Sequence, residues 1–210
     1  MAIVVVGGHS RSVGKTSVVV GLIEHLPEMQ WTAMKITQFG HGICSANGEP
    51  CDCAINEEDH CSVITEERSR VGDSDTSRFL VAGATRSLWV RTRQGRLAEA
   101  MPRLRSEMER GGNFIIESNS IIAFLQPDLY ITVLDQGTLD FKDSARTFLD
   151  RADAVLLHSE TTNVLSPGWA GVQLEVLNEK PIFAITRQQY VTKEIVDYVR
   201  KALLPERQPA

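Results

Sequence analysis

The chain has 210 residues, a length that suits one α/β domain with a full hydrophobic core. Hydrophobic residues make up 42% of it and charged residues 23%, which is ordinary for a globular protein. The net charge of -5 supplies no broad basic field, which argues against nucleic acid as a partner. No basic region precedes the short apolar run at residues 2–6, and no apolar run approaches about 18 residues. The sequence therefore predicts a cytoplasmic protein that does not span a membrane.

Short β-branched runs alternate with helical stretches, which predicts a mostly parallel sheet with helices on both faces. The predicted strands are Ala2–Val6, Thr32–Ile36, Ser87–Val90, Phe114–Ile116, Leu129–Leu134, Ala154–Leu157 and Pro181–Ile185. The predicted helices are Lys15–His25, Thr76–Gly83, Leu97–Arg110, Asp143–Asp150, Val172–Asn178 and Thr192–Leu203. Capping residues support several helices: Asp75 or Thr76, Gly111-Gly112, and Thr192. We predict a single three-layer α/β/α domain over residues 1–204, followed by a tail at 205–210.

Residues 4–17, VVVGGHSRSVGKTS, join the first predicted strand to the first predicted helix, which is the context of a phosphate-binding loop. In the pattern Gly-x-x-x-x-Gly-Lys-Thr, backbone N–H groups cradle phosphate, the lysine adds charge and the threonine binds magnesium. His9 replaces the first glycine and would adopt a positive φ at some cost, unless Gly7 and Gly8 take the sharp turn. The predicted nucleotide-binding residues here are Gly8, His9, Ser12, Val13, Gly14, Lys15, Thr16 and Ser17.

The predicted strand 114–116 ends in Glu117, as a Walker B strand ends in an acid, and it would open on the same side as the phosphate loop. Glu117 is the leading candidate to bind magnesium together with Thr16, and Asp73 and Asp75 are the alternatives. Lys35 is a cation in an apolar strand, which either lies over the phosphates or reaches water. The predicted catalytic residues are Lys15, Lys35, Glu117 and Asp75.

The residues that select the nucleotide base are less well defined by the sequence. No Asn-Lys-x-Asp motif follows a late strand. Thr186 and Arg187 occupy the sort of place where such a motif would lie, and they either line the base pocket or form an ordinary loop. GTP and ATP both remain candidates.

Residues 38–75 interrupt the alternation with a long, polar and turn-rich insertion, and loops beyond about 12–15 residues are commonly functional or disordered. It contains all four cysteines, which two histidines flank: Cys44, Cys51, Cys53, Cys61, His41 and His60. Cytosolic thiols stay reduced, so metal ligation explains this cluster better than disulfides do. Four thiolates would close a tetrahedral zinc site, while an iron–sulfur cluster and unligated thiols are the alternatives.

Several of these motifs together resemble the molybdopterin-guanine dinucleotide biosynthesis protein B family. The similar features are Gly-Lys-Thr after the first strand, Lys35 and His41, the segment DTSRFLVAGA at 75–84, and the strand that ends in Glu117. The resemblance covers roughly residues 1–37 and 73–120. It implies a GTP-binding P-loop protein that assists molybdenum cofactor maturation, in a class that includes dethiobiotin synthetase-like ligases and metallochaperone GTPases.

Two classes of function stay open. The chain is either a magnesium-dependent NTPase or phosphotransferase, or a nucleotide-switched accessory or metal-delivery protein with slow or absent hydrolysis. In the second case the cysteine loop would meet a protein partner, and a homodimer is one assembly that the sequence allows.

Overall fold

A computed structural model describes residues 1–40, 62–159, 169, 172 and 174–204. The strands within these residues are β1 Ile3–Gly8, β2 Trp31–Phe39, β3 Val63–Glu66, β4 Arg86–Arg93, β5 Asn113–Glu117, β6 Leu129–Leu134, β7 Ala154–His158 and β8 Ile182–Ile185. They form an eight-stranded sheet in the order β3-β4-β2-β5-β1-β6-β7-β8. Every neighbouring pair is parallel except β3 and β4, which confirms the predicted mostly parallel sheet.

Helices cover both faces of this sheet. The α-helices are α1 Lys15–His25, α2 Asp75–Val81, α3 Leu97–Glu109, α4 Asp143–Thr147 and α5 Lys193–Leu203. The apolar sides of α1, α2 and α5 share one core on the first face, and α3 packs into a second core on the opposite face. The three-layer α/β/α architecture is therefore confirmed. Within the described residues, no helix has the length and apolar character needed to cross a membrane.

The central position of β1 explains its uninterrupted apolar sequence. Val4, Val5 and Val6 are fully buried because β5 and β6 flank the strand and both helical layers cover it. A strand buried on both faces has no solvent side that would favour polar residues. The phosphate loop therefore follows directly after the central strand of the sheet and leads into α1.

The structure corrects several predicted boundaries. Part of the predicted insertion 38–75 belongs to the sheet, because β2 extends to Phe39 and residues 63–66 form the antiparallel edge strand β3. Ser74, rather than Asp75 or Thr76, caps α2, since its hydroxyl accepts a hydrogen bond from the Ser77 N–H at 3.1 Å. The predicted helices 143–150 and 172–178 are shorter: α4 ends at Thr147, and 3-10 turns occupy Leu149–Arg151 and Leu174–Leu177.

Gly14 begins α1 in a conformation that glycine alone adopts easily. Its φ is 96°, and a Cβ atom added there would lie 2.0 Å from Cε1 of the Tyr190 ring. Gly83 has a similar φ of +109°, but nothing lies within 4 Å of the position of its Cβ atom. The two glycines therefore share a backbone requirement, and only Gly14 also has a steric one.

We expect Gly14→Ala to lower the free energy of unfolding by clearly more than Gly83→Ala does. Both substitutions place a side chain on left-handed backbone, at a cost of roughly 1–2 kcal/mol, and only the first also meets the Tyr190 ring. Urea unfolding of both variants measures the difference. The double variant Gly14→Ala with Tyr190→Ala should recover the steric part, and equal losses for the two glycines would contradict the packing of Tyr190 over Gly14.

Candidate nucleotide-binding site

The site forms where parallel strands end at one edge of the sheet. In the sheet register, Glu117 of β5 lies beside Val6 of β1 and beside Lys35 of β2. The loop after β1 therefore starts next to a carboxylate and an ammonium group that are far away in sequence. These side chains meet because the carboxyl ends of parallel strands lie at one edge of the sheet, as the sequence predicted.

Lys15 turns back across its own loop. Its Nζ donates a hydrogen bond to the carbonyl oxygen of Ser10 at 2.5 Å. Burial disfavours the ammonium form and lowers the pKa of Lys15 to about 8. The dipole of the Ser10 carbonyl stabilises the ammonium group only in part, and a phosphate anion beside Lys15 would supply a full negative charge.

A continuous chain of polar contacts joins Thr16 to three of the predicted catalytic residues, Glu117, Lys35 and Asp75. The Thr16 hydroxyl donates to Oε2 of Glu117 at 2.8 Å, and Lys35 Nζ donates to Oε1 of Glu117 at 3.1 Å and also to Oδ2 of Asp75. Burial opposes the charge of Lys35, but Glu117 and Asp75 outweigh burial and raise the pKa of Lys35. Lys35 thus points into the site rather than to bulk water.

Arg78 extends this chain along α2. Its guanidinium lies 3.7 Å from Oδ1 of Asp75, and it donates to the Ser17 hydroxyl at 3.4 Å. Asp75 is thereby held between two cations, one from β2 and one from its own helix. The helix that carries the DTSRFLVAGA segment is packed against the start of α1 through these contacts.

The oxygen donors of this site fit magnesium. Thr16 offers a hydroxyl and Glu117 a carboxylate, and Mg²⁺ is commonly held by one or two such groups together with substrate phosphates. Among the described residues, no group of three or more His, Cys, Asp or Glu side chains could hold a metal ion. A magnesium ion here would therefore depend on the phosphates as well as on the protein.

Asn119 is a site residue that the sequence analysis missed. Its Oδ1 accepts a hydrogen bond from the Gly8 N–H at 2.8 Å, and its Nδ2 donates to the Gly8 carbonyl, also at 2.8 Å. A Cβ atom at Gly7 would lie 2.3 Å from the same Oδ1. Asn119 therefore fixes the start of the phosphate loop. Its position also explains why residue 7 is a glycine. The only signal in the sequence is an amide two residues after Glu117.

The structure contradicts the expectation that His9 adopts a positive φ. Among the described non-glycine residues, only Ser12 (φ 57°) and Gln30 (φ 49°) do so. The His9 N–H continues the pairing of β1 with β6 by donating to the Val133 carbonyl at 3.2 Å. The left-handed turn of the loop is thus taken later, at Ser12 and Gly14.

The His9 side chain is a packing element. It is fully buried, and its ring lies 5.2 Å from that of Phe141 and 5.0 Å from that of Trp169. Burial lowers its pKa, so the neutral imidazole is favoured. His9 therefore replaces the glycine of the pattern by filling an aromatic cluster beneath the loop.

Thr186 and Arg187 follow β8 and lie near the same edge of the sheet. Thr186 closes a tight turn with Gln189, and Arg187 Nη2 lies 3.6 Å from Oδ2 of Asp135, which follows β6. Asp135 is the more buried member of this pair. Tyr190 continues the same segment over Gly14. The segment thus lies beside the phosphate loop.

The other predicted loop residues support the fold of the loop. Val13 is buried in the core under α1, and its carbonyl lies 3.0 Å from Nε2 of the buried His158 at the end of β7. The predicted metal ligands Cys44, Cys51, Cys53 and Cys61, with His41 and His60, lie outside the described residues. The zinc and iron–sulfur hypotheses therefore rest on the sequence alone.

No protein-family model and no curated protein matches the chain. Among solved structures it is similar to HypB from Helicobacter pylori in complex with nickel, with 15% identity, a TM-score of 0.51 and coverage of 96% of this chain and 87% of that chain. It is also similar to MobB from Bacillus subtilis, with 16% identity, a TM-score of 0.44 and coverage of 98% of this chain and 100% of that chain. A third similar structure is LpxK from Aquifex aeolicus in complex with ATP, with 19% identity, a TM-score of 0.45 and coverage of 88% of this chain and 53% of that chain. The chain has a P-loop NTPase fold.

We expect His9→Gly to lower the free energy of unfolding by about 2–4 kcal/mol, because it empties the aromatic cluster. Ser12→Gly should instead leave stability unchanged or raise it by up to roughly 1 kcal/mol, because it relieves a left-handed non-glycine residue. Chemical denaturation of both variants measures the two effects. A stabilised His9→Gly variant would show that the strained position is His9 after all.

Proposed function

We propose that the chain binds a nucleoside triphosphate with magnesium and hydrolyses it, in support of the biosynthesis of a molybdopterin dinucleotide-type cofactor. The observation that carries the proposal is the contact chain Thr16–Glu117–Lys35–Asp75 beside the phosphate loop. The buried carboxylate beside the loop threonine can hold magnesium, and the neighbouring lysine can stabilise charge on a phosphate. The fold agrees with this reading.

Each side chain has a distinct task in this proposal. The loop N–H groups and Lys15 bind the phosphates, and Thr16 and Glu117 would hold magnesium, which would supply positive charge to the phosphate oxygens. Lys35 stabilises the negative charge that develops at the terminal phosphate. Water attacks the terminal phosphorus, the bond to the bridging oxygen breaks, and the products are the diphosphate and inorganic phosphate. Asp75 positions Lys35.

The role in cofactor biosynthesis is supported by the motif resemblance. The Lys35 strand, the DTSRFLVAGA segment and the strand ending in Glu117 are the similar features, and the structure brings all three to one site. For base selection we propose Thr186 and Arg187, supported by their position beside Asp135 and the phosphate loop. GTP and ATP both stay within the proposal, and a cytoplasmic location accords with it.

The second candidate is a nucleotide-switched accessory protein with slow or absent hydrolysis, which delivers a metal or binds a partner protein through its cysteine loop. The cluster of all four cysteines in residues 44–61 favours it. A dethiobiotin synthetase-like phosphotransferase or ligase uses the same phosphate chemistry with an acceptor other than water. A homodimer is compatible with each of these functions.

We expect Lys15→Ala to abolish binding of Mg-nucleotide, whereas Glu117→Gln should keep nucleotide affinity and lose at least about tenfold in turnover. Lys15 neutralises phosphate in the ground state, while the Glu117 carboxylate acts mainly in the transition state. Calorimetry with Mg-ATP and Mg-GTP measures binding, and release of inorganic phosphate measures turnover. Glu109→Gln, an exposed site on α3, is the matched control.

Tight Mg-nucleotide binding by Lys15→Ala would refute the phosphate loop. Unchanged turnover in Glu117→Gln would transfer the acid's role to Asp75 or Asp73. Thermal unfolding of each variant separates a functional loss from a folding defect, because Glu117 is buried and paired with Lys35.

We also propose that the purified protein carries about one zinc ion per chain, bound by Cys44, Cys51, Cys53 and Cys61. Residues 38–63 contain few large apolar side chains whose burial could offset the entropic cost of ordering them, which is roughly 1–2 kcal/mol per residue. The free energy of metal binding can offset this cost instead. Elemental analysis of protein prepared without added metal or chelator measures the metal content.

If that analysis finds iron and sulfide, the site holds an iron–sulfur cluster instead of zinc. A folded protein without metal would refute the site. Individual Cys→Ser variants then identify the ligands by loss of metal. If His41 or His60 replaces one thiolate, one of the four serine variants keeps the metal.

A further inference from the structure

The connection from β6 to α4 folds back onto the phosphate loop. The backbone N–H of Lys142 donates to the His9 carbonyl at 2.8 Å, and the Ser10 hydroxyl donates to Oδ2 of Asp140, also at 2.8 Å. The Phe141 ring packs against the His9 ring at 5.2 Å. Three consecutive residues of the connection thus contact two consecutive residues of the phosphate loop, which fixes the backbone position of Lys142 beside it.

The half-buried side chain of Lys142 lies in the electrostatic surroundings of the catalytic residues. The charged groups that act on it are Arg11, Asp140, Glu117 and Lys35. Lys142 in turn is one of the charges that act on Lys15. The backbone contact with His9 and these charges therefore place Lys142 in the same electrostatic surroundings as Lys15 and Lys35.

The carboxylates that act on Lys15 and Lys142 have other partners: Asp140, for example, accepts a hydrogen bond from the Ser10 hydroxyl. Glu117 is engaged by Thr16 and Lys35. Within the part of the chain that the structure describes, no salt bridge joins Lys15 or Lys142 to a carboxylate. Partly buried ammonium groups that lack a carboxylate partner reduce the stability of the protein until an anion binds. Burial, followed by the charge of Arg11, lowers the pKa of Lys142, which agrees with an unmet demand for an anion.

We propose that Lys142 contacts the terminal phosphate of the bound nucleoside triphosphate, as a third lysine beside Lys15 and Lys35. The inference rests on the proposed function and adds a residue to it. The terminal phosphate is the expected contact because the backbone of Lys142 is hydrogen-bonded to the phosphate loop at His9, and because the charge of Glu117, the proposed magnesium ligand, acts on Lys142. A cation supplied from a separate loop there would stabilise the charge of the transferring group.

The test compares wild-type protein with Lys142→Gln, in calorimetry with Mg-ATP, Mg-GTP, Mg-ADP and Mg-GDP. The variant should lose roughly tenfold or more in triphosphate affinity, since hydrogen bonds to charged groups are the strong ones, and it should lose much less in diphosphate affinity. Lys142→Arg keeps the charge and should recover part of the loss. Lys193→Gln, an exposed lysine on α5 that pairs with Asp197 at 3.2 Å, is the control and should bind as the wild type does.

The outcomes separate this inference from the proposed function. If the wild type binds Mg-nucleotide and Lys15→Ala does not, the phosphate loop stands, and unchanged triphosphate affinity in Lys142→Gln overturns the role of Lys142 alone. Equal losses for triphosphate and diphosphate overturn contact with the terminal phosphate. A wild-type chain that binds no nucleotide overturns both proposals. Thermal unfolding of Lys142→Gln at the wild-type temperature excludes a folding defect as the cause of a loss.

Discussion

The two hydrogen bonds between Asn119 and the backbone of Gly8 fix the point at which the central strand becomes a loop. They satisfy a buried donor and a buried acceptor that no neighbouring strand could reach, and leaving such groups without partners costs roughly 1–3 kcal/mol each. Gly7 must lack a side chain for the amide to approach so closely. The path of the phosphate loop, and hence the positions of Lys15 and Thr16, follow from this constraint.

The site combines strong pairing in one part with unpaired charge in another. Lys35 and Arg78 together balance the charges of Glu117 and Asp75, while Lys15 and Lys142 rely on dipoles and on partial solvation. Burial of unpaired cations reduces stability, and such arrangements are concentrated at functional sites. An anionic ligand, as proposed, would restore the balance of charge, so the cost falls on the unliganded protein.

Sequence periodicity predicted most of the sheet because buried parallel strands leave continuous β-branched runs, as in β1 and β6. The meeting of Thr16, Lys35 and Glu117 was predictable because parallel strands end at one edge of the sheet. The contacts of Asn119 with Gly8 and of Phe141 with His9 were not predictable, since both are made by residues that follow the strand ends, whose positions the order of the strands does not determine. The edge strand β3 was missed because its four residues lie in a polar stretch and pair antiparallel.

The expectation for His9 failed for a physical reason that the motif pattern conceals. A glycine in a pattern marks either a special φ or a need for space, and here neither requirement falls on that position. The backbone stays in register with β6 through Val133, and an aromatic pocket accepts the ring. The pattern Gly-x-x-x-x-Gly-Lys-Thr therefore tolerates a large residue wherever the layer beneath the loop is built to receive it.

The ring of Trp169 lies against His9 and donates from Nε1 to the Thr138 carbonyl at 2.9 Å, so an indole is held between the phosphate loop and the connection that carries Lys142. Indole emission depends on the polarity of its surroundings and on imidazole and backbone groups nearby. Any rearrangement of the loop that moves His9 therefore alters the fluorescence of Trp169. Trp169 is thus placed to report optically on the position of His9.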